Sequence, residues 1–178
     1  MPQTAVLIAL PQLTEYTDRW RSASGSPGQP DLALSRRIPP HVTVLVPWAP
    51  DHDAGLFERA VERLVRAVRA VGPLELNFPT AGLFPGGTVW LRPEPFGKVL
   101  GLVTKVLAAF PEYPAYGGTH PEPHPHVSVS SAGGAAVLAH VEAALKLALP
   151  PPVRVEELTI WREDSTADTW HQVASVRL

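Results

Sequence analysis

Two short segments of the chain each combine a histidine with a hydroxyl-bearing residue two positions further on. The segment PHVTVLVPW contains His41 and Thr43. The segment PHVSVS contains His126 and Ser128. Both segments are rich in valine, which favours a β-strand, and residues two positions apart lie on the same face of a strand. Each histidine is therefore predicted to share a strand face with its hydroxyl residue.

The alternation of side chains also predicts the two faces of the first strand. These faces are Val42, Val44 and Val46 on one side and His41, Thr43 and Leu45 on the other. The first face is suited to a hydrophobic core. The second face places two hydrogen-bonding side chains on a strand that is otherwise apolar, which indicates either a core polar contact or a polar site.

Paired histidines and hydroxyls can support acid–base chemistry. Imidazole titrates near neutral pH, so one histidine can remove a proton while another donates one. Hydroxyl groups fixed beside them can donate hydrogen bonds to a negatively charged group that is reacting. The two segments are candidates for the two halves of one catalytic site.

The remaining chain alternates between predicted strands and helices. Short apolar or alternating runs predict strands, and apolar residues at helical spacing predict helices. The predicted strands are residues 4–10, 41–48, 74–79, 88–95, 126–131, 153–163 and 170–178, and the helices are 11–21, 53–72, 96–110 and 135–149. The last two strands are expected to form an antiparallel pair. Long irregular loops are predicted at residues 22–35 and 111–125, and the fold class is α+β.

The order of elements repeats. Each half of the chain runs strand, helix, long loop, histidine-bearing strand, helix and strand. The separation between the first strand and the histidine is nearly the same in both halves. We therefore expect one domain over residues 1–178, built from repeats at about 1–80 and 81–178. A pseudo-two-fold arrangement of these repeats would bring both histidine-bearing strands to a shared groove.

Composition limits the classes of function. The chain has 178 residues and a net charge of −2, so it has no large basic surface to hold long nucleic acid. It has no cysteine, which excludes disulfides, thiolate zinc sites and a cysteine nucleophile. The first residues lack the basic and cleavage-site features of a signal peptide. We expect a cytoplasmic protein that is monomeric and has no membrane partner.

Together, the segments PHVTVLVPW and PHVSVS and the repeat resemble the 2H phosphoesterase superfamily. The particular resemblance is to the bacterial 2′-5′ RNA ligase or RNA 2′,3′-cyclic phosphodiesterase (LigT-like) family. It implies a two-lobed, pseudo-symmetric fold with antiparallel sheets lining a central cleft and helices outside. It also implies a phosphodiesterase that uses no cofactor and no metal. Ser128 stands where the family more often has threonine.

This resemblance implies roles for the four motif residues. Water opens the 2′,3′-cyclic phosphate of an RNA end and leaves a 2′-phosphate, and the reverse reaction is 2′-5′ ligation. One histidine is the base and the other is the acid. His126 is assigned as base and His41 as acid, and the opposite assignment stays open because the repeats are nearly symmetric. Thr43 and Ser128 would bind the phosphate oxygens.

Further substrate contacts are predicted around the motifs. Arg37, next to Arg36, would contact phosphate at the cleft mouth, or form a solvated charged pair. Arg92 interrupts an apolar strand and would either face the cleft or pair with Glu94. Aromatic side chains could stack on a base, although aromatic residues in strands more often belong to the core. The aromatic candidates are Tyr116 and Trp161, with Trp48 and Trp90 as further possibilities.

Two other interpretations of the histidines remain open. His124 offers an alternative start for the second motif, but a proline follows it and no hydroxyl lies two positions later. His120, His124 and His126 with Glu122 could instead form a metal site.

Three functional alternatives follow. The first alternative to an RNA end as substrate is a small cyclic or 2′-5′-linked nucleotide, for which the weak net charge is better suited. A non-catalytic nucleotide-binding module would need no paired acid and base. A zinc hydrolase would lose activity with a chelator.

Overall fold

The computed structural model describes residues 3–21, 38–49, 53–120, 122–131, 133–164 and 169–178. Within these residues the chain forms strands, α-helices and two 3₁₀ turns at Pro11–Leu13 and Ala115–Gly118. The strands are β1 (Thr4–Ala9), β2 (His41–Leu45), β3 (Leu74–Leu83), β4 (Val89–Glu94), β5 (Val127–Ser130), β6 (Val153–Val155), β7 (Glu157–Asp164) and β8 (Thr169–Arg177). The helices are α1 (Thr14–Arg21), α2 (Ala54–Val68), α3 (Phe96–Ala109) and α4 (Gly134–Leu147). No helix in this described part of the chain is long and apolar enough to cross a membrane.

All eight strands join one antiparallel sheet in the order β6-β3-β4-β5-β2-β1-β7-β8. Strand β2, which begins at His41, and strand β5, which His126 immediately precedes, are neighbours at its centre. On either side of this central pair, the first strand of each predicted repeat comes next, β1 beside β2 and β4 beside β5. The α+β class with antiparallel strands is confirmed, and the division into repeats at about residues 1–80 and 81–178 stays a prediction.

The sheet is strongly curled. Val155 ends β6 and Glu157 begins β7, so the two residues lie at most about 7 Å apart. Yet β6 is the first strand in the sheet order and β7 is the seventh. The sheet must therefore bend round until its β6 edge approaches β7. The prediction of one continuous strand over residues 153–163 was wrong, because the chain changes hydrogen-bonding partner at Glu156, from β3 to β1.

One face of the curled sheet carries the hydrophobic core, which α2, α3 and α4 cover. Helix α2 begins where the carboxylate of Asp53 accepts a 3.0 Å hydrogen bond from the Leu56 amide, a normal N-cap. It buries Leu64 and Val68 against the sheet. Val42 and Val44 of β2 are also fully buried in this core. The opposite face of β2 is thereby left to His41 and Thr43.

The predicted faces of β2 hold only as far as Val44. The register with β1 passes from Leu7↔Thr43 to Val6↔Leu45, so β2 has one extra residue at Val44. Such a bulge reverses the alternation of side chains beyond it. The prediction for the last two residues was wrong. Leu45 lies in the main core, and Val46 packs against a small cluster on the other face.

Candidate active site

The two motifs lie side by side across the centre of the sheet. Val42 of β2 is paired with Val127 of β5 in an antiparallel register. One step along this register, His41 stands opposite Ser128 and Thr43 stands opposite His126. Directly opposite residues share a face of the sheet, and diagonal neighbours lie about 7 to 8 Å apart. The two histidines form such a diagonal pair on the face opposite the core.

The ring of each histidine is held by the same type of hydrogen bond, from Nδ1 to a backbone carbonyl. Nδ1 of His41 lies 2.8 Å from the carbonyl oxygen of Pro39, and Nδ1 of His126 lies 2.6 Å from that of His124. A carbonyl oxygen only accepts, so each Nδ1 carries the proton that it donates. The neutral rings therefore present an unprotonated Nε2, which is the nitrogen left for acid–base chemistry. A buried proline separates each histidine from its carbonyl partner.

His126 is enclosed by an aromatic wall, which consists of Phe84, Trp90 and His124. The rings of Phe84, His124 and Trp90 lie 4.8 Å, 6.2 Å and 6.4 Å from the His126 ring. Burial lowers the pKa of His126, and the nearby charges of His124 and His120 act in the same direction, although the hydrogen bond to the His124 carbonyl opposes them. The lowered pKa favours the neutral form of His126, which is the form that a general base needs.

Trp90 belongs to this wall because its strand neighbour is a glycine. Trp90 is paired with Ser128 on one side and with Gly82 on the other. A side chain at Gly82 would overlap the carbons of the Trp90 indole ring, so the ring lies directly across that backbone. It packs 5.3 Å from Phe84 and 4.7 Å from His124. The absence of a Cβ at residue 82 therefore permits the aromatic wall.

Thr43 is approached by Tyr116, from the second long loop. The amide of Tyr116 donates a 2.6 Å hydrogen bond to the carbonyl of Val46, just beyond the end of β2. Burial raises the pKa of the Tyr116 phenol, and hydrogen bonding with the Thr43 side chain opposes that rise. The Tyr116 ring meets His120 edge to face at 5.3 Å. The backbone hydrogen bond therefore anchors this loop beside the end of β2.

The other predicted contacts are placed differently. Arg92 is one register step from the Leu91↔Val127 pair, opposite His126, but its Nε donates a 2.8 Å hydrogen bond to Glu94. Its guanidinium lies 4.1 Å from the ring of Phe96. Arg37 falls outside the described residues.

Trp161 does not present an open ring face to the site. It is 8 % exposed and packs in the small cluster with Ala5, Leu7 and Trp170. Its indole nitrogen donates a 2.9 Å hydrogen bond to the hydroxyl of Thr159. The structure thus brings together His41, Thr43, His126, Ser128, Tyr116 and Arg92 and places Trp161 in packing.

The metal-site interpretation receives no geometric support from these residues. Within the described ranges, no group of three or more His, Asp or Glu side chains is placed to hold a metal ion. The Nδ1 atom of His126 is already engaged by the His124 carbonyl, and the His124 ring packs on Trp90 and Phe96.

With the geometry described, comparison with known proteins decides the family. The model of the 2′-5′ RNA ligase superfamily matches residues 10–167, which is most of the chain. The chain belongs to this superfamily. A comparison with curated protein sequences gives no significant match.

Solved structures share the fold of this superfamily member. E. coli LigT complexed with 3′-AMP has 21% identity and a TM-score of 0.63, covering 100% of this chain and 99% of LigT. A protein described as a phosphoesterase has 18% identity and a TM-score of 0.58, covering 100% and 99%. The protein TT0787 of Thermus thermophilus has 15% identity and a TM-score of 0.58, covering 99% and 97%. At these identities the similarity establishes the fold alone.

Sequence reasoning missed part of the site of this 2′-5′ RNA ligase superfamily member. Phe84 lies in the turn between β3 and β4, where nothing in the local pattern distinguishes it from a packing residue. Gly82 carried a usable signal, because a glycine inside a strand often marks a close approach by another group. His124 was considered as an alternative start of the motif or as a metal ligand, but its carbonyl orients His126 and its ring belongs to the wall.

Proposed function

We propose that this protein is a cyclic phosphodiesterase that opens the 2′,3′-cyclic phosphate of an RNA end to a 2′-phosphate. The observation that carries the proposal is the paired geometry at the centre of the sheet. Two histidines, each with Nδ1 fixed by a carbonyl, lie diagonally across β2 and β5 beside two hydroxyls. A phosphate bound between the rings would have one Nε2 on each side.

In the proposed reaction, His126 and His41 have different tasks. Neutral His126 accepts a proton from water at Nε2 as the water oxygen attacks phosphorus. The bond from phosphorus to the 3′ oxygen breaks, and protonated His41 donates its Nε2 proton to that oxygen. The product carries a 2′-phosphate and a free 3′-hydroxyl. The reverse sequence, with a 5′-hydroxyl in place of water, is 2′-5′ ligation, and hydrolysis dominates because water is abundant.

Thr43 and Ser128 are proposed to bind the non-bridging phosphate oxygens. Each stands opposite the histidine of the other motif, so each hydroxyl is next to the place where the phosphate would lie. Donors already held in place stabilise the charge that develops at phosphorus without reorganisation. The proposed chemistry needs no metal, and activity in EDTA tests that statement.

A second candidate substrate class is a small cyclic or 2′-5′-linked nucleotide. The net charge of −2 favours it, because an RNA strand would find no extensive basic surface. E. coli LigT, which shares the fold, has been solved complexed with 3′-AMP, with ATP and with NADP+, and these small nucleotide ligands support this candidate. A non-catalytic nucleotide-binding module remains the alternative outside the enzymes.

Hydrolysis assays with EDTA test the proposal and its substrate class together. The substrates are adenosine 2′,3′-cyclic phosphate and a short RNA ending in the same group, each at several salt concentrations. Turnover to a 2′-phosphate is expected. A steep loss of RNA turnover with salt, with little effect on the mononucleotide, would favour the RNA end. No turnover of either substrate would leave the binding module, and loss of turnover in EDTA would favour a metal hydrolase.

A further inference from the structure

Arg92 is the one arginine or lysine in the central strands β1, β2, β4 and β5, all of which the structure describes. Its register position opposite His126 places it on the face of the sheet that carries the two motifs. A cationic side chain on that face is suited to an anionic ligand, and RNA carries one negative charge on each phosphate. The position of the guanidinium group decides which phosphate Arg92 can reach.

Two neighbouring residues hold the guanidinium group of Arg92 in one orientation. Its Nε donates a 2.8 Å hydrogen bond to Oε1 of Glu94, and Oε2 of Glu94 accepts a 2.7 Å hydrogen bond from the Phe96 amide. The guanidinium carbon lies 4.1 Å from the centre of the Phe96 ring, within the range of a cation–π contact. Arg92 is therefore fixed at its Nε edge and on one face before any ligand binds.

The other edge of the guanidinium group is available to a ligand. Among the residues that the structure describes, none accepts a hydrogen bond from Nη1 or Nη2 of Arg92. The Arg92 side chain is 40 % exposed, so a ligand can approach these nitrogens from solvent. The planar arrangement of their N–H groups matches two oxygens of one phosphate group. This edge of Arg92 is therefore suited to bind a phosphate.

The guanidinium group is displaced from the place proposed for the reacting phosphate. That place lies between β2 and β5, whereas Arg92 is on β4, on the other side of β5. The Arg92 side chain also extends along β4 towards Glu94, which is the direction away from Ser128. The spacing and rise of strands separate the guanidinium group from the space between the histidines by roughly 10 Å. Because a hydrogen bond to phosphate is only about 2.8 Å long, Arg92 is placed to bind a different phosphate.

We propose that Arg92 binds the phosphodiester that precedes the terminal nucleotide of the substrate, and thereby selects an RNA end over a mononucleotide. This inference rests on the proposed function and names the substrate class of the same site. In an RNA end, the phosphate next to the terminal 2′,3′-cyclic phosphate is the diester that joins the last two nucleotides. A mononucleotide has no such diester. Arg92 is therefore a specificity-determining residue and does not contact the reacting phosphate.

Three substrates separate the second phosphate from the rest of an RNA end. Adenosine 2′,3′-cyclic phosphate has only the reacting phosphate. An adenosine dinucleotide that ends in a 2′,3′-cyclic phosphate adds one nucleoside and one charged phosphodiester. The same dinucleotide with a methylphosphonate linkage keeps both nucleosides, but its linkage is uncharged. The difference between the two dinucleotides therefore measures the contribution of the anionic linkage.

Arg92→Gln removes the guanidinium group from the site, and Arg154→Gln is the matched control. Arg154 also forms ion pairs with glutamates, but it lies on β6, three strands from β5 in the sheet order. For wild type and Arg154→Gln, kcat/KM should be about tenfold or more higher with the charged dinucleotide than with the uncharged one, as expected for a hydrogen bond to a charged group. In Arg92→Gln the ratio of these two values should fall to about one.

The ratio between the two dinucleotides also separates recognition from a structural effect. Unfolding or displaced histidines would lower kcat/KM with all three substrates and leave the ratio unchanged. A ratio in Arg92→Gln equal to that of wild type would therefore overturn the inference. An equal loss with all three substrates would instead place Arg92 at the reacting phosphate. A wild-type ratio of about one would also overturn the inference, because the anionic linkage would then make no contribution.

A binding measurement separates failure of this inference from failure of the proposed function. The ligands for calorimetry are the two adenosine dinucleotides with a terminal 2′-phosphate, one with the charged linkage and one with the methylphosphonate. Wild type and Arg154→Gln should bind the charged ligand more tightly, and Arg92→Gln should bind both equally. If wild type turns over no cyclic phosphate, the proposed function fails, and this comparison still decides the inference. Equal affinity of wild type for the two ligands, or no binding of either, would overturn it.

Discussion

The two histidine motifs have the same backbone arrangement and different surroundings. His41 begins β2 and His126 immediately precedes β5, its antiparallel neighbour, and both place Nδ1 against the carbonyl two residues earlier. On β5, His126 is enclosed by the aromatic wall of Phe84, Trp90 and His124, and Ser128 is exposed. On β2, Thr43 is less exposed, and a hydrogen bond from the Tyr116 amide to the Val46 carbonyl holds the second long loop beside the end of the strand.

Under the proposed function, this difference would let two strands with matching motifs support an asymmetric reaction. The backbone supplies two equivalent imidazoles, as an in-line displacement with one base and one acid requires. The side chains around them then separate their tasks. Burial lowers the pKa of His126, which suits the neutral form that the proposed base needs. The acid and base can thereby differ although the strands match.

Removing either histidine is expected to have the largest effect. His41→Ala and His126→Ala should each lower kcat/KM by roughly 10²- to 10⁴-fold, the usual contribution of general acid–base catalysis. Steady-state hydrolysis of adenosine 2′,3′-cyclic phosphate in EDTA measures this loss. His140→Ala, on the exposed face of α4, is the matched control and should behave as wild type. Full activity in the double variant His41→Ala/His126→Ala would exclude the two-histidine mechanism.

Removing the hydroxyls should show the inequality between the motifs. Thr43→Val should lower kcat by about 10²-fold, as expected for loss of an ordered donor to a reacting oxyanion. Ser128→Ala should have a smaller effect, because the exposed serine is not held in one orientation and water can replace it. Thr104→Ala, which removes an exposed hydroxyl from α3, is the control. A larger loss for Ser128→Ala would reverse the comparison.

The close approach of Trp90 to the backbone of Gly82 can be tested by stability. Gly82→Ala places a Cβ where the indole ring lies, and should lower the free energy of unfolding by about 1 to 3 kcal/mol, as overpacking does. Gly86→Ala, in the following turn, meets no atom within 4 Å and is the control. Urea denaturation measures both. Equal stability of the two variants would show that the ring does not depend on a glycine there.

The smallest predicted effect is a shift in pH dependence. Burial lowers the pKa of His126. The apparent pKa of the acidic limb in the pH profile of kcat/KM should therefore lie below the ordinary histidine value of about 6.5. Phe84→Ala admits water to the ring, so the limb should move up by as much as about one unit, and activity at low pH should fall. Phe96→Ala is the control, because Phe96 meets His124 and not His126. An unchanged limb in Phe84→Ala would mean that the wall does not set this pKa.

Local patterns were sufficient to predict most of the fold. Amphipathic spacing gave α2 and α3 to within a few residues, and valine-rich runs gave β2 and β5. Local patterns could not predict the separation of β6 from β7, because that break depends on which distant strand supplies the hydrogen bonds. The local sequence pattern likewise could not predict the bulge at Val44, because the bulge arises from pairing with β1.

The site was predictable to the extent that it repeats. His41 and His126 were predicted to lie together because the same motif occurs at equivalent points of the two predicted halves, and the register places them on one face of the sheet, while their catalytic roles stay a prediction. The residues that make the halves differ were not marked by any repeat. Phe84 meets His126 through a turn, and Tyr116 lies beside the end of β2 with a left-handed backbone that no local pattern predicts. Trp161 is an aromatic residue of the type that stacks on bases, but it is buried in a packed cluster.

The most direct test of the division of labour is the pH profile of kcat/KM for wild type, His41→Ala and His126→Ala with a 2′,3′-cyclic nucleotide in EDTA. A bell is expected for wild type, with its acidic limb from the base and its basic limb from the acid. The pH profile of the residual activity of His126→Ala should lack the acidic limb. That of His41→Ala should lack the basic limb. Loss of the same limb in both variants, exchanged limbs, or an intact bell in either would contradict the assignment of His126 as base and His41 as acid.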